Sequence, residues 1–278
     1  MKQLKLIISF CFLLATYSSK AGFPLGKGGY MIVPTYFHYA AKGYWDQDRI
    51  YKPFDNVGDK FTSNYFGVFG GFGLGRDLDF MYNIPFVVQT SITNGAVTRN
   101  SGLGDATLGL KYFLTHFEGD RHLSVQGSFI VPLYQNLPTK LPFIGFQETG
   151  FEGKLCYAGG KEIMYRNAFY EIEGGFRQFF GVSGPFQLFT NITGGIELNE
   201  YWKLSGNFAF INSKSTNAIT NLPVNLFGNR DFSFTRLTAN LGYILNPNTT
   251  VYGSLFTDIA GRNTGKGSGF GLFAVIKF

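Results

Sequence analysis

The stretch Asp105-Ala106-Thr107-Leu108-Gly109-Leu110-Lys111-Tyr112-Phe113-Leu114 decides the fold class. Successive side chains of an extended chain point to opposite faces. Ala106, Leu108, Leu110, Tyr112 and Leu114 therefore share one face, and Asp105, Thr107, Gly109 and Lys111 share the other. One apolar face and one polar face at period two is the mark of a half-apolar β-strand. The period recurs outward in both directions. Leu78, Phe80, Tyr82, Ile84, Phe86 and Val88 oppose Asp79, Asn83 and Gln89, and Leu123, Val125, Phe129 and Val131 oppose His122, Ser124, Gln126 and Ser128. Tyr170, Ile172 and Phe176 oppose Glu171, Glu173 and Arg177, and two more such runs start at Phe186 and Tyr201. The first strand, near residues 28 to 40, is less regular, and Pro34 interrupts its ladder.

Between the strands, short polar links fall at Gly75-Arg76-Asp77, near Glu118-Gly119-Asp120, near Gly160-Lys161-Glu162, at Asn199-Glu200 and at Asn246-Pro247-Asn248. Longer links, near 41–61, 91–102, 133–148, 213–230 and 261–267, alternate with them, and 180–185 is a short exception. Short turns on one side and long loops on the other are the layout of outer-membrane barrels. The count predicts an antiparallel up-and-down transmembrane β-barrel of about twelve strands, with both termini on the short-turn, periplasmic side. A soluble β-sandwich also alternates, but it gives no reason for 32 Phe and 16 Tyr beside 37 Gly in 278 residues. Mean hydropathy is +0.02, and no second apolar run is long enough for a spanning helix, which needs roughly 20 residues. In a barrel the lipid-facing and lumen-facing side chains cancel in any window average.

The N-terminus reads as a secretory signal. Lys2 and Lys5 precede the apolar run Leu6–Ala15, and Ser19 and Ala21 give the small-residue cleavage pattern. The expected organisation is a signal peptide at 1–21 and a barrel at 22–278. Three of the 24 Lys and Arg residues and none of the 18 acids lie in the signal, so the remainder carries a net charge of +3. Its basic residues are scattered, which excludes the clustered stripe of a nucleic-acid binder. Cys156 is then the sole cysteine, expected as a packed thiol.

Most soluble chemistry is excluded by context. Gly71-Phe72-Gly73-Leu74-Gly75 leads into a turn and a strand, with no helix for a phosphate to meet, and Gly265-Lys266 lacks the upstream glycine of a P-loop. His38, His116 and His122 show no metal spacing. His122 and Ser124, with Asn136 twelve residues after the serine, resemble the His-x-Ser pair and third residue of outer-membrane phospholipases and lipid A deacylases. Against that reading, His122 is expected near the periplasmic end facing the lumen, and Asn136 falls in the 132–142 loop. Those hydrolases act from the lipid-facing side near the outer leaflet.

The run Gly102-Leu103-Gly104-Asp105-Ala106-Thr107-Leu108-Gly109-Leu110-Lys111-Tyr112 resembles the outer-membrane family named for the meta-pathway of phenol degradation. Gly26-Lys27-Gly28-Gly29-Tyr30 and Phe72-Gly73-Leu74-Gly75-Arg76-Asp77-Leu78-Asp79-Phe80 extend the resemblance, which covers roughly residues 26–114. It implies a Gram-negative outer-membrane barrel acting as a channel or transporter for small solutes, hydrophobic ones included. Phe270, Leu272, Ala274, Ile276 and Phe278 share one face of the last run. That run resembles the terminal strand of such barrels, whose final aromatic residue is read by the barrel assembly machinery, so Phe278 is the expected assembly signal.

The polar faces supply the candidate lumen residues Asp105, Lys111, Lys154, Glu171, Glu173 and Arg177, together with Glu152, Glu197, Lys203 and Arg236. An unpaired buried charge is costly, so these are expected first as a paired network and second as a selective path. A turn near 159–166 would set Lys154 opposite Glu171, and Arg177 near Gln187. The expected function is a non-enzymatic conduit with no cofactor and no metal. Its expected partners are outer-membrane lipid, the assembly machinery and an unidentified small solute. The alternatives are a membrane-embedded lipid hydrolase, or a structural barrel attached to export of a surface polymer.

Overall fold

Alternating side chains fix which face of each strand turns inward, and the computed structural model shows the ladder they build. It describes residues 24–117, 120–181, 183–216 and 229–278. The expected signal peptide and most of the 213–230 loop lie outside the described residues. Among these, the strand segments are β1 (Tyr30–Trp45), β2 (Tyr51–Pro53), β3 (Lys60–Gly73), β4 (Leu78–Thr93), β5 (Ala96–Leu103), β6 (Asp105–Phe117) and β7 (Arg121–Pro132). They continue as β8 (Gly150–Ile163), β9 (Arg166–Phe179), β10 (Phe186–Glu197), β11 (Trp202–Lys214), β12 (Phe232–Asn246), β13 (Thr249–Arg262) and β14 (Thr264–Lys277).

Each stave pairs antiparallel with the next, and β14 returns to pair with β1, closing the sheet. Closure removes the free edges that an open sheet would expose to lipid. The segment β2 only extends β1 beyond the rim. β5 and β6 form one stave along β4, offset by a single residue at Gly104, whose amide donates to the Pro85 carbonyl at 2.8 Å. The barrel thus has twelve staves, as the count predicts. Pro34 lies within β1; the β14 ladder skips from Ile32 to Thr35, which is the local gap that a residue without N–H produces.

The outward face is the apolar one. Leu108, Leu110, Tyr112 and Leu114 stand exposed on the bare chain, while Lys111 and Phe113 of the opposite face are buried. Aromatic side chains gather at the short-turn end: Tyr30 stacks on Phe278 at 4.3 Å, Trp202 meets Tyr243 at 5.0 Å, and Tyr157 meets Tyr170 at 5.7 Å. Such a girdle marks a membrane interface, and in this class the short turns face the periplasm.

Three expected connections differ from the structure. The hairpin expected to turn at Gly160–Glu162 turns at Met164–Tyr165, both with positive φ (51° and 61°), as a tight two-residue hairpin requires. The expected loop at 91–102 is a hairpin: β4 and β5 run to the tip Asn94-Gly95, also at positive φ (51° and 75°). The expected loop at 261–267 is a tight turn at Asn263 between two long strands. In the last two cases polar residues that read as loop pair across the rim instead, beyond the height of the lipid.

Candidate functional site

The inward faces form a lumen of two unlike walls. One, from β6 to β9, carries most of the sequence-predicted charges. Lys154 Nζ binds Glu173 Oε1 at 2.7 Å, and Arg177 Nε binds Glu152 Oε2 at 2.6 Å. The predicted Lys154–Glu171 pairing is corrected by the later turn: Lys154 faces Gly175, and Glu171 faces Ala158. Glu171 instead accepts the Cys156 thiol at 3.3 Å, and Cys156 is the buried thiol that was expected. Arg177 does face Gln187 across the next hairpin, and its guanidinium also lies 4.8 Å from the Phe189 ring. Lys111 faces Asp79 across β4 and lies over the Phe113 ring at 5.1 Å. Cys156, Glu171 and Glu173 bring ligand-type atoms within 4.8 Å of one another, but the Lys154 ammonium holds Glu173.

The facing wall is aromatic. Phe37, Tyr39, Tyr65, Phe234 and Phe256 line a lumen cavity of about 530 Å³, with Ser63, Gln89, Arg236 and Asp258 among its polar groups. Arg236 is held bidentate by Asp258 at 2.7 and 3.2 Å, and its guanidinium lies 4.6 Å from the Phe256 ring and 5.5 Å from Tyr39. The pair places a fixed charge and its counter-charge among the aromatic rings of the pocket. Sequence reasoning found Arg236 but missed the aromatic wall. The available signal was Tyr36-Phe37-His38-Tyr39, where aromatics occupy both faces and alternation fails.

A loop reaches this cavity from the long-loop end and lines it with Ile144. Residues 133–149 turn inward, and the Ile144 carbonyl accepts from Gln89 Nε2 at 3.5 Å on the lumen wall. Asn100 Nδ2 donates to the Pro142 carbonyl at 3.0 Å, and Asp105 shares a hydrogen bond with the Tyr134 hydroxyl. Burial and the Asp105 carboxylate push the Tyr134 phenol well above its ordinary range. Glu148 is ion-paired with Arg230, which also lies 6.0 Å from the Phe146 ring. Asp105, at the start of β6 and level with Pro85, thus anchors the loop on the lumen side of the wall. At the opposite mouth the Leu25 amide donates to both Asp79 carboxylate oxygens, at 3.3 and 3.2 Å.

The His122–Ser124–Asn136 set is not brought together. His122 Nδ1 lies 2.6 Å from His116 Nδ1, and His116 Nε2 meets Asp77 at 2.8 Å near the short turns. Asn136 lies beyond the other end of β7. There its side chain donates to the Gly145 carbonyl at 2.8 Å and accepts from the Ile144 amide at 3.2 Å. It scaffolds the inward loop.

Residues 60–162 match the family model described as "Putative MetA-pathway of phenol degradation", in agreement with the resemblance seen in the sequence. No curated protein matches the sequence. Among solved structures, an outer-membrane channel from Pseudomonas putida F1 aligns with TM-score 0.70 at 14% identity, covering 94% of this chain and 100% of that one. The β domain of the Bordetella autotransporter BrkA aligns with TM-score 0.53 at 9% identity, covering 91% and 100%. The translocator domain of the autotransporter NalP from Neisseria meningitidis aligns with TM-score 0.50 at 12% identity, covering 100% and 95%. Apolar outer face, interfacial girdle, closed sheet and these likenesses agree: the chain is a twelve-stranded β-barrel of the outer-membrane class that carries the phenol-degradation family pattern over residues 60–162.

Proposed function

We propose that the barrel is a non-enzymatic conduit for a small solute, with the aromatic-walled cavity as its binding station and residues 133–149 as its constriction. The observation that carries this is the cavity itself. At about 530 Å³ it falls within the range of small-molecule sites, which are mostly apolar with a few placed polar groups. Five aromatic rings beside the Arg236–Asp258 pair match that description. On the opposite wall the Lys154–Glu173 and Arg177–Glu152 pairs neutralise four charges in place, which supports passage of uncharged molecules over bare ions. The likeness to the Pseudomonas putida channel supports a channel role and leaves the solute open.

The test is swelling of proteoliposomes in a series of uncharged solutes of increasing size. The proposal expects rapid swelling for small solutes and a steep fall once a solute exceeds the cavity. Swelling equal to protein-free liposomes for every solute would refute it.

A further inference from the structure

We propose that the lipid-facing wall at β1, β3 and β14 holds a binding site for one phosphorylated glycolipid of the outer leaflet. The starting observation is a polar trio on the wrong side of the barrel. Asn64 Oδ1 accepts from the Tyr36 hydroxyl at 3.0 Å and from His38 Nδ1 at 2.9 Å. Thr35, Phe37 and Tyr39 line the lumen, so Tyr36 and His38, between them in sequence, point outward. Their neighbours confirm it: Tyr36 packs on Phe66 at 4.9 Å, and His38 packs on Phe270 at 5.4 Å, both exposed apolar residues. Polar and ionisable side chains toward lipid are expensive and mark function by default.

Height sets what the trio meets. A strand tilted by about 40° climbs roughly 2.6 Å per residue. His38 therefore stands about 21 Å above the Tyr30–Phe278 girdle, in an apolar band roughly 25 Å tall. That is the level of acyl carbonyls and inner headgroup atoms in the outer leaflet. Polarity then rises row by row. Ala40, the next outward residue of β1, is flanked by Thr62 and Ser268. Two residues further on, exposed Lys60 and Lys266 stand near the outer ends of the two flanking strands, and Lys266 Nζ lies 4.6 Å from the Tyr51 ring and 5.7 Å from the Trp45 ring. Below the trio the wall is apolar again, with Phe66, Val68 and Leu272 exposed.

This sequence of surfaces fits one kind of molecule. Acyl chains lie on Phe66, Val68 and Leu272. Acyl carbonyls and sugar hydroxyls meet the Asn64 amide, His38 Nε2, Thr62 and Ser268. Phosphates meet Lys60 and Lys266. A simple phospholipid has too few acceptors and donors to use three polar rows, which is why the glycolipid is the occupant.

The probe is bisphosphorylated lipid A, offered to the purified protein in detergent and read by native mass spectrometry. Phosphatidylethanolamine and dephosphorylated lipid A serve as controls. One lipid A should bind at least tenfold tighter than phosphatidylethanolamine. His38→Phe with Asn64→Leu should lower that affinity about tenfold or more, and Lys60→Gln with Lys266→Gln should remove the preference for the phosphorylated form. The lysine pair lies at the exposed rim, so this arm stands even where the first double variant assembles poorly. Equal affinity for lipid A and phosphatidylethanolamine would overturn the proposal. So would unchanged binding in assembled variants, or a wild-type oligomer that His38→Phe with Asn64→Leu converts to monomer, which would make the surface a protein interface.

Discussion

Among the contacts that hold the inward loop is one ion pair whose loss has a calculable effect. Arg230→Ala removes the bond to Glu148, a hydrogen bond to the Phe146 carbonyl at 3.4 Å and the stacking on the Phe146 ring. Truncating one partner of a fully buried pair costs about 3–5 kcal/mol, and an exposed pair contributes about 0.2–1 kcal/mol. The Arg230 and Glu148 side chains are 18% and 13% exposed, between those two cases, so about 2 kcal/mol is the expected loss. At 1.4 kcal/mol per factor of ten, the ratio of closed to open loop falls about 30-fold. Glu148 and Arg230 both lie outside the strands, so the effect is on the loop's position and leaves the sheet intact. In planar bilayers the fraction of time in the larger conductance state should rise accordingly, and Arg230→Glu with Glu148→Arg should restore most of the wild-type pattern. A correctly assembled Arg230→Ala protein with wild-type conductance and dwell times would refute the latch.

Other expectations follow from the two faces and the rim. Ile192→Arg puts a charge on the lipid-facing wall at mid-height of β10, at about 2–4 kcal/mol near the bilayer midplane, and should reduce heat-modifiable barrel in outer-membrane fractions. Glu171→Gln, on the lumen face, should assemble normally and alter ion preference or solute flux; the opposite outcome for the two variants would mean the faces are reversed. Deleting Phe278, whose amide and carbonyl both pair with Tyr30 at the closing seam, should lower the amount of assembled protein, and unchanged assembly would remove it as the signal. At the outer rim the Arg262 fork holds the Asp231 carboxyl below its ordinary range. Its stabilisation is full above the usual carboxylate value near 3.9 and is lost as pH falls through the lowered one. Amide exchange at the β12–β13 rim should therefore rise only under that acid condition, and Asp231→Asn should flatten the dependence.

The faces, the closure and the stave count were legible because a half-apolar strand can satisfy lipid and lumen only at period two. The register of one hairpin was not. Met164 and Tyr165 carry none of the glycine or asparagine preference of a two-residue turn, yet both adopt positive φ. The turn accordingly falls later than Gly160–Glu162, and Lys154 finds Glu173. Asn94-Gly95 did carry the hairpin signal inside a stretch read as loop. The inward path of residues 133–149 has no local signature at all. It depends on Gln89, Asn100, Asp105 and Arg230, four residues that the fold brings to one mouth from distant strands and loops.

The central claim is that solute crosses through the aromatic-walled cavity beneath the loop. Ser63 is a buried lumen side chain lining that cavity, and Ser63→Trp would fill it without touching the lipid-facing wall or the ion-paired wall. The most direct measurement is the flux of a small uncharged solute into proteoliposomes carrying equal amounts of wild-type and Ser63→Trp barrel. The account predicts clear flux through the wild type and near-background flux through the filled variant. Equal flux through both, or none through either, would contradict it.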